Sequence, residues 1–321
     1  MGMTLKALSQ ITGYSMITIS RAINYPHLLH KDTREKILAA IKQYEYIPNN
    51  VAKALVYQRT NIIHVYVPED LSPTNQFVMQ VTAGLGSYLG ENGYSILISK
   101  NWYQHQNVDG LIVMGLSLQD EERLHQLAKH KPLVLFGHDD AVACVDVDNV
   151  LGMKLATEHA IECGYRQIAF LGIAQDKKFT KDRYDGYRNA MASHGRAIND
   201  RHVVFTENNT DSGYRAAKAL LKECPEIDCL ICSSDDMAVG VMQAAQKMNI
   251  DVPNRLGVIG YDGLGTELLV HPQLTTIHQP VYEIGIELAK ILLKNIKDAE
   301  IGSKTNFYAP VLQPGATTVK R

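Results

Sequence analysis

Arg21 stands on the outer side of a short amphipathic stretch, residues 16–24, together with Met16, Ile17 and Ser20. A guanidinium in that setting can lay its fork against the two acceptors of a guanine edge in the major groove of duplex DNA. On the opposite side Ile19 and Ile23 fall one turn apart, the spacing of a buried helical face. Other candidate chemistry is thinner. Cys229 and Cys232 form a C-x-x-C inside an apolar run, where positions three apart in a strand point to opposite faces and neither share a metal nor pair. His159 and Cys163 are one helical turn apart with no second ligand pair nearby, which fits ordinary core packing. The glycines of Gly84-Leu85-Gly86-Ser87-Tyr88-Leu89-Gly90 look like a nucleotide loop, yet they fall late in a helical run, so a helix-packing role is expected. With no Walker sequence, serine-centred elbow or metal-ligand series, the chain reads as a non-enzyme without cofactor or metal.

The elements that must hold Arg21 can be read on either side of it. Residues 4–8 open a short helix, and Gly13 supplies the left-handed turn that reverses the chain. Ser15 is placed to cap the second helix, residues 16–24, and a third is expected over 33–44 with Ile37, Leu38 and Ile41 as its apolar stripe. Two helices about a glycine turn, closed by a third, is the helix-turn-helix plan. Residues 1–60 carry eight Lys and Arg against three acids, a net of +5, whereas the whole chain is −2 and the remainder therefore −7. A basic head on an acidic body favours phosphate contact at one end. Pro48 breaks the third helix, and Asn49 or Asn50 can cap a very short helix, residues 51–56, that needs outside support to form. Lys53 and Leu55 are its notable side chains.

At 321 residues the chain suits a headpiece plus two modest lobes, and 45% hydrophobic with 21% charged residues is ordinary for a globular protein. No apolar run approaches the roughly 20 residues of a membrane helix, no signal peptide opens the chain, and five cysteines without framework spacing fit a reducing cytoplasm. From Ile62 strands and helices alternate. Strands are expected at 62–67, 94–99, 108–114, 133–136, 167–171, 203–206, 229–232 and 257–261. Helices are expected at 77–92, 118–129, 151–163, 182–194, 213–222 and 237–248. This pattern implies an α/β body of two doubly wound parallel sheets whose carboxyl edges face one another across a ligand cleft.

The chain resembles the lactose/galactose repressor (LacI/GalR) family of bacterial transcription regulators from Met3 to about residue 318. The marks are Gly13-Tyr14-Ser15-Met16-Ile17-Thr18-Ile19-Ser20-Arg21, Thr33-Arg34, Tyr46-Ile47-Pro48-Asn49, Val108-Asp109-Gly110 and Asp182-Arg183-Tyr184-Asp185-Gly186-Tyr187. Further marks are Ser234-Asp235-Asp236-Met237-Ala238-Val239-Gly240, Gly260-Tyr261-Asp262 and Leu274-Thr275-Thr276-Ile277. The resemblance implies a two-lobed, periplasmic-binding-protein-like body behind the headpiece. It also implies a homodimer on near-palindromic operator DNA, with Met16, Ile17 and Arg21 reading bases. Leu55 would wedge into the minor groove and kink the duplex, Lys53 adding charge there. Thr4, Ser15, Thr18, Ser20, Asn24 and Asn49 complete the expected DNA-contacting set. Between the lobes the family binds a small effector, most often a sugar or sugar derivative, and Arg183, Ser234, Asp235, Asp262 and Gln279 fall at its lining positions. Paired Asp acceptors and an Arg fork suit vicinal hydroxyls. Related regulators answer instead to a nucleobase or to a phosphocarrier protein acting as corepressor, which is the alternative reading.

The implied division is 1–48 for the headpiece and 49–60 for the hinge. The first lobe takes 61–148 with about 281–308, and the second takes 149–280 with about 309–321. Three positions depart from the family. Ile17 is apolar where many relatives carry a small or hydrogen-bonding residue, suiting at most a thymine methyl. Gly137 stands where several sugar-binding members have an acid, with His138, Asp139 and Asp140 following. Only eight residues, 100–107, join the strand ending at Ser99 to the one at Val108, where relatives place a whole helix. One sheet face is therefore expected to lack its helical cover, with Trp102 and Tyr103 or a partner packing over it.

Overall fold

Thr4 and Ser15 begin the first two helices as side-chain caps. Thr4 Oγ1 accepts from the amide of Ala7 at 3.1 Å ahead of α1 (Leu5–Thr12), and Ser15 Oγ accepts from the amide of Thr18 at 3.1 Å ahead of α2 (Met16–Asn24). Between them Gly13 ends α1 at φ 72°, a left-handed conformation that other residues resist. The structure, a computed structural model, describes residues 3–46, 59–72, 74–101, 107–298 and 305–321. The chain divides into two compact units, Met1–Thr60 and Asn61–Arg321. In the first, α3 (Lys31–Gln43) closes a small core of Leu8, Ile19, Ala22, Ile37 and Tyr46. The stripe expected on α3 needs one correction. Leu38 is 43% exposed, and the face that packs is Ile37, Ala40, Ile41 and Tyr44, the i, i+3, i+4, i+7 set of one helical side.

The second unit is built on parallel sheets, as alternating strands and helices require. Its first lobe contains β1 (Ile62–Tyr66), α4 (Gln76–Glu91), β2 (Ser95–Ser99), β3 (Gly110–Met114), α5 (Glu121–Ala128), β4 (Leu133–Phe136) and β5 (Ala143–Val147). The chain then forms α6 (Asn149–Glu162), β6 (Ile168–Ile173), α7 (Lys178–Ser193), β7 (Val203–Thr206), α8 (Thr210–Glu223), β8 (Cys229–Cys232), α9 (Asp235–Lys247), β9 (Gly257–Ile259) and β10 (Thr276–His278). Finally α10 (Val281–Asp298) and β11 (Thr305–Tyr308) return to the first lobe, and β12 (Val311–Gln313) pairs with β10. The first sheet runs β11-β5-β4-β3-β1-β2, every pair parallel. The second runs β7-β6-β8-β9, also parallel, and beside it β10 and β12 form an antiparallel pair that the alternating pattern does not foreshadow.

Helix α10 packs along α4, and Gly84 makes this possible. A Cβ there would collide with the Tyr282 carbonyl, while Gly285 offers its own bare backbone opposite. Gly86 and Gly90 meet no such neighbour, so only the first glycine of the motif has the expected packing role. All five cysteines are buried free thiols, and Cys229 and Cys232 enter the two opposite cores of β8. Trp102 and Tyr103 lie outside the described residues. On the edge strand β2, Leu97 and Ile98 remain 37% and 44% exposed.

Candidate functional site

On the headpiece, the first turns of α2 place Met16 (48% exposed) and Ile17 (66% exposed) outward while Ile19 is fully buried, with Arg21 also exposed. Two large apolar side chains held in solvent beside a guanidinium form a surface that makes sense as a groove-reading face. Thr4, Ser15 and Thr18 lie at the amino ends of α1 and α2. The Thr4 and Ser15 oxygens each hold a backbone amide, and Ser15 and Thr18 also share a 2.8 Å hydroxyl contact. Ser20 is half-buried on the same helix. Asn24 ends α2, and Asn49, Lys53 and Leu55 lie outside the described residues.

In the second unit, the carboxyl ends of the strands of both sheets converge on a cavity of about 410 Å³. That is a volume for a small polar molecule, and strand ends are where open α/β sheets bind ligands. The loop after β1 brings Asp70, that after β4 brings His138 and Asp139, and that after β6 brings Gln175 and Lys177. Asp236 of α9 and Asp262 after β9 complete the opposite wall, with Phe77, Phe136 and Phe179 supplying apolar surface.

Arg183, on α7, is buried at the cavity wall. Its Nε donates to Asn149 Oδ1 at 2.9 Å, and one terminal nitrogen donates to the carbonyl of Ser233. The guanidinium lies 3.8 Å from the Tyr261 ring centre and 5.0 Å from that of Phe179, so two aromatic rings fix its plane. Tyr261 is tied down by its hydroxyl, which donates to the same Asn149 oxygen at 3.3 Å. Asp262 Oδ1 stands 3.7 Å from the guanidinium and accepts from Gln279 Nε2 at 2.7 Å. Burial pushes the Asp262 carboxyl up to about 8, with Arg183 opposing and Asp235 adding to the rise. Its backbone sits at φ 132°, held by hydrogen bonds at 2.9 Å to Ile277 and from Gln279. Sustained strain of this kind concentrates where a side chain must be aimed.

The structure therefore brings Arg183, Asp262 and Gln279 together on the cavity, while Ser234 and Asp235 are not among its lining residues. Ser234 caps α9, accepting from the amide of Met237 at 3.2 Å, and donates to Asn208, which does line the cavity. Asp235 turns inward, accepting from Thr276 Oγ1 at 2.6 Å and from the amide of Gly263 at 2.8 Å. It braces the turn that carries Asp262, and burial pushes its carboxyl up to about 6. Its neighbour Asp236 faces the cavity instead, because one residue along a helix is a rotation of about 100°. Of the three residues after Gly137, His138 and Asp139 line the cavity and Asp140 does not. His138 Nδ1 is 3.0 Å from Asp146 and 3.7 Å from Asp182, and its hydrogen bond to Asp146 raises its pKa. Asn149, Phe179 and Tyr261 are structural partners of Arg183 that the sequence reading does not assign, although Phe179 stands one helical turn before Arg183 and Tyr261 directly precedes Asp262.

A three-helix headpiece and a two-sheet body with a cleft are also what known proteins share with this chain. Residues 4–49 match the family described as bacterial regulatory proteins, lacI family. Residues 101–311 match the periplasmic binding proteins and sugar binding domain of the LacI family. The HTH-type transcriptional regulator YvdE of Bacillus subtilis (strain 168) is 32% identical over 311 residues, which cover 96% of this chain and 97% of that protein. Among solved structures, a transcriptional regulator CelR–cellobiose complex matches with a TM-score of 0.75 and 26% identity, over 98% of this chain and 99% of the other. The lac repressor dimer bound to operator and the anti-inducer ONPF matches with a TM-score of 0.88 and 24% identity, over 99% and 100% of the two chains. The chain belongs to the LacI family of DNA-binding transcriptional regulators. Among the described residues, no helix is long and apolar enough to cross a membrane.

Proposed function

We propose that this protein is a repressor of carbohydrate-utilisation genes, released from or recruited to its operator by a small carbohydrate held between the two lobes. The convergence of Arg183, Asp262 and Gln279 on one cavity supports this most directly. Carboxyl acceptors beside an amide and a guanidinium suit the alternating donors and acceptors of vicinal hydroxyls, and Phe77, Phe136 and Phe179 offer surface for the apolar face of a sugar ring. The match to a regulator solved as a complex with cellobiose points the same way. Operator binding is by a homodimer, as in the lac repressor complex. Met16, Ile17 and Arg21 of each copy reach base edges, and Thr4, Ser15, Thr18, Ser20 and Asn24 hold the backbone. Residues 49–60 serve as the hinge, with Asn49, Lys53 and Leu55 acting on DNA.

The effector works by differential affinity for two lobe arrangements that set the spacing of paired hinges, a coupling of about 1–3 kcal/mol in such systems. Arg183→Ala tests the pocket. Operator affinity should stay within about threefold of wild type while the response to an active saccharide disappears, a loss of the whole coupling of about 1–3 kcal/mol. Operator titration with and without the sugar reads both quantities, and an undiminished response in the variant would remove the assignment.

A further inference from the structure

Resting on the reading that the cleft binds a small effector, we infer that this effector is an uncharged polyol, an unphosphorylated saccharide, and that the cavity rejects anions. The cavity wall carries seven carboxyl groups against Lys177, Lys178, Arg183 and His138. Each of those four cationic or protonatable groups is already committed within the protein. Lys177 Nζ is 2.7 Å from Asp70, and Lys178 Nζ is 2.9 Å from Glu121 and 3.5 Å from Asp139 while also donating to the His138 carbonyl at 3.0 Å. His138 lies between Asp146 and Asp182, and Arg183 is bound by Asn149, the Ser233 carbonyl and Asp262. A phosphate or carboxylate entering the cleft would have to break one of these pairs and leave a carboxylate unneutralised in a partly dry site.

The acids are committed differently. Glu207 accepts only from Asn209 at 3.3 Å and Ser212 at 3.2 Å, with no cation beside it among the described residues. Asp236 faces the cavity with no hydrogen-bond donor or cation of the described residues on its carboxyl, which burial alone shifts upward. Such a group calls for donors from the ligand, and hydroxyls supply them without the repulsion an anion would meet. A ligand ammonium would serve Asp236 as one donor, but Asp236, Glu207, Asp262 and Gln279 together call for several donors and acceptors spread over the ligand, which the hydroxyls of a polyol supply.

Paired ligands that differ only in a phosphate test this. The full chain is titrated calorimetrically with glucose, ribose, maltose and cellobiose and with their phosphate esters, the 5-phosphate for ribose and the 6-phosphates for the others, and operator release is followed in parallel. In addition, the protein is equilibrated with a cleared metabolite extract, washed by ultrafiltration, and the retained small molecules identified by mass spectrometry. The expected result is a retained or titrating neutral saccharide whose phosphate ester binds at least 100-fold more weakly. Asp236→Asn should weaken that sugar about tenfold, and Asp236→Lys should narrow or invert the preference over the ester. A phosphate ester, carboxylate or amine that binds as tightly as its neutral counterpart and shifts operator binding would overturn the inference while leaving a small effector in place. No ligand in either arm would defeat the small-effector reading, and this one with it.

Discussion

Asp262 shows how one residue can be set against the stability of the chain that carries it. Its carboxyl is about a quarter exposed, facing the cavity, and burial drives it up to about 8 from an ordinary value of 3.8. Between those two values the folded chain holds a proton that the unfolded chain has released, so stability falls as pH rises through that window. Asp262→Asn removes the penalty and keeps an acceptor for Gln279. Thermal unfolding at pH 8 should therefore show the variant more stable by about 2–4 °C, roughly 1 kcal/mol for a body of this size, with the two proteins converging near pH 4. A variant less stable than wild type at pH 8 would show that the ionised carboxylate is instead held by Arg183. The residue scale is also where sequence reading is most exposed to error. Asp235 and Asp236 are identical in type and adjacent, and only the phase of α9 sends one to Thr276 and the other to the cavity. Arg183 and Asp262 are legible because each sits in a distinctive run of neighbours. What Asn149, Phe179 and Tyr261 do is not, since it is defined by contact with Arg183: Asn149 and Tyr261 lie tens of residues from it, and Phe179, one helical turn before it, reads as ordinary apolar surface.

At the scale of elements, the segment between β6 and α7 acts as a clasp across the cleft. Asp70, beyond β1, accepts from Gln175 at 2.8 Å and from Lys177 at 2.7 Å. The amide of Leu118 donates to the Asp176 carbonyl at 3.0 Å, and Lys178 reaches Glu121 and Asp139. Four consecutive residues of one lobe thus grip the segments that follow three strands, β1, β3 and β4, of the other. Asp70→Ala should loosen the lobes without any ligand, seen as a larger radius of gyration of the full chain in X-ray scattering, and high salt should move wild type the same way. An unchanged radius would mean closure rests on other contacts. Most helices and strands could be read from hydrophobic periodicity, with ends that coincide or shift by at most four residues. Strand β5 could not, because Ala143-Cys144-Val145-Asp146-Val147 contains a carboxylate that becomes tolerable inside the sheet only once His138 stands beside it. β10 and β12 are three residues each, too short to carry a period.

At the scale of the whole molecule, charge separates two tasks: residues 1–60, headpiece and hinge together, carry net +5 and meet phosphates, and a body of −7 stays away from them. Specificity must then come from contacts beyond charge, and Leu55 is the residue on which the family resemblance places the kink. Leu55→Ala should weaken specific operator binding by 10-fold or more, about 1.4 kcal/mol, with nonspecific affinity nearly unchanged, as competition against random duplex would reveal. Equal loss on both would argue against the wedge. A different liability follows from β2. It borders its sheet, pairs only with β1 among the described residues, and reads Ser-Ile-Leu-Ile-Ser without charge or proline while presenting Leu97 and Ile98 to water. Natural proteins usually disarm such a margin with lysine, a bulge or a kink. Unless another chain occupies it, that border is a template for strand-to-strand adhesion, and concentrated protein should cloud on standing where a Leu97→Lys variant stays clear.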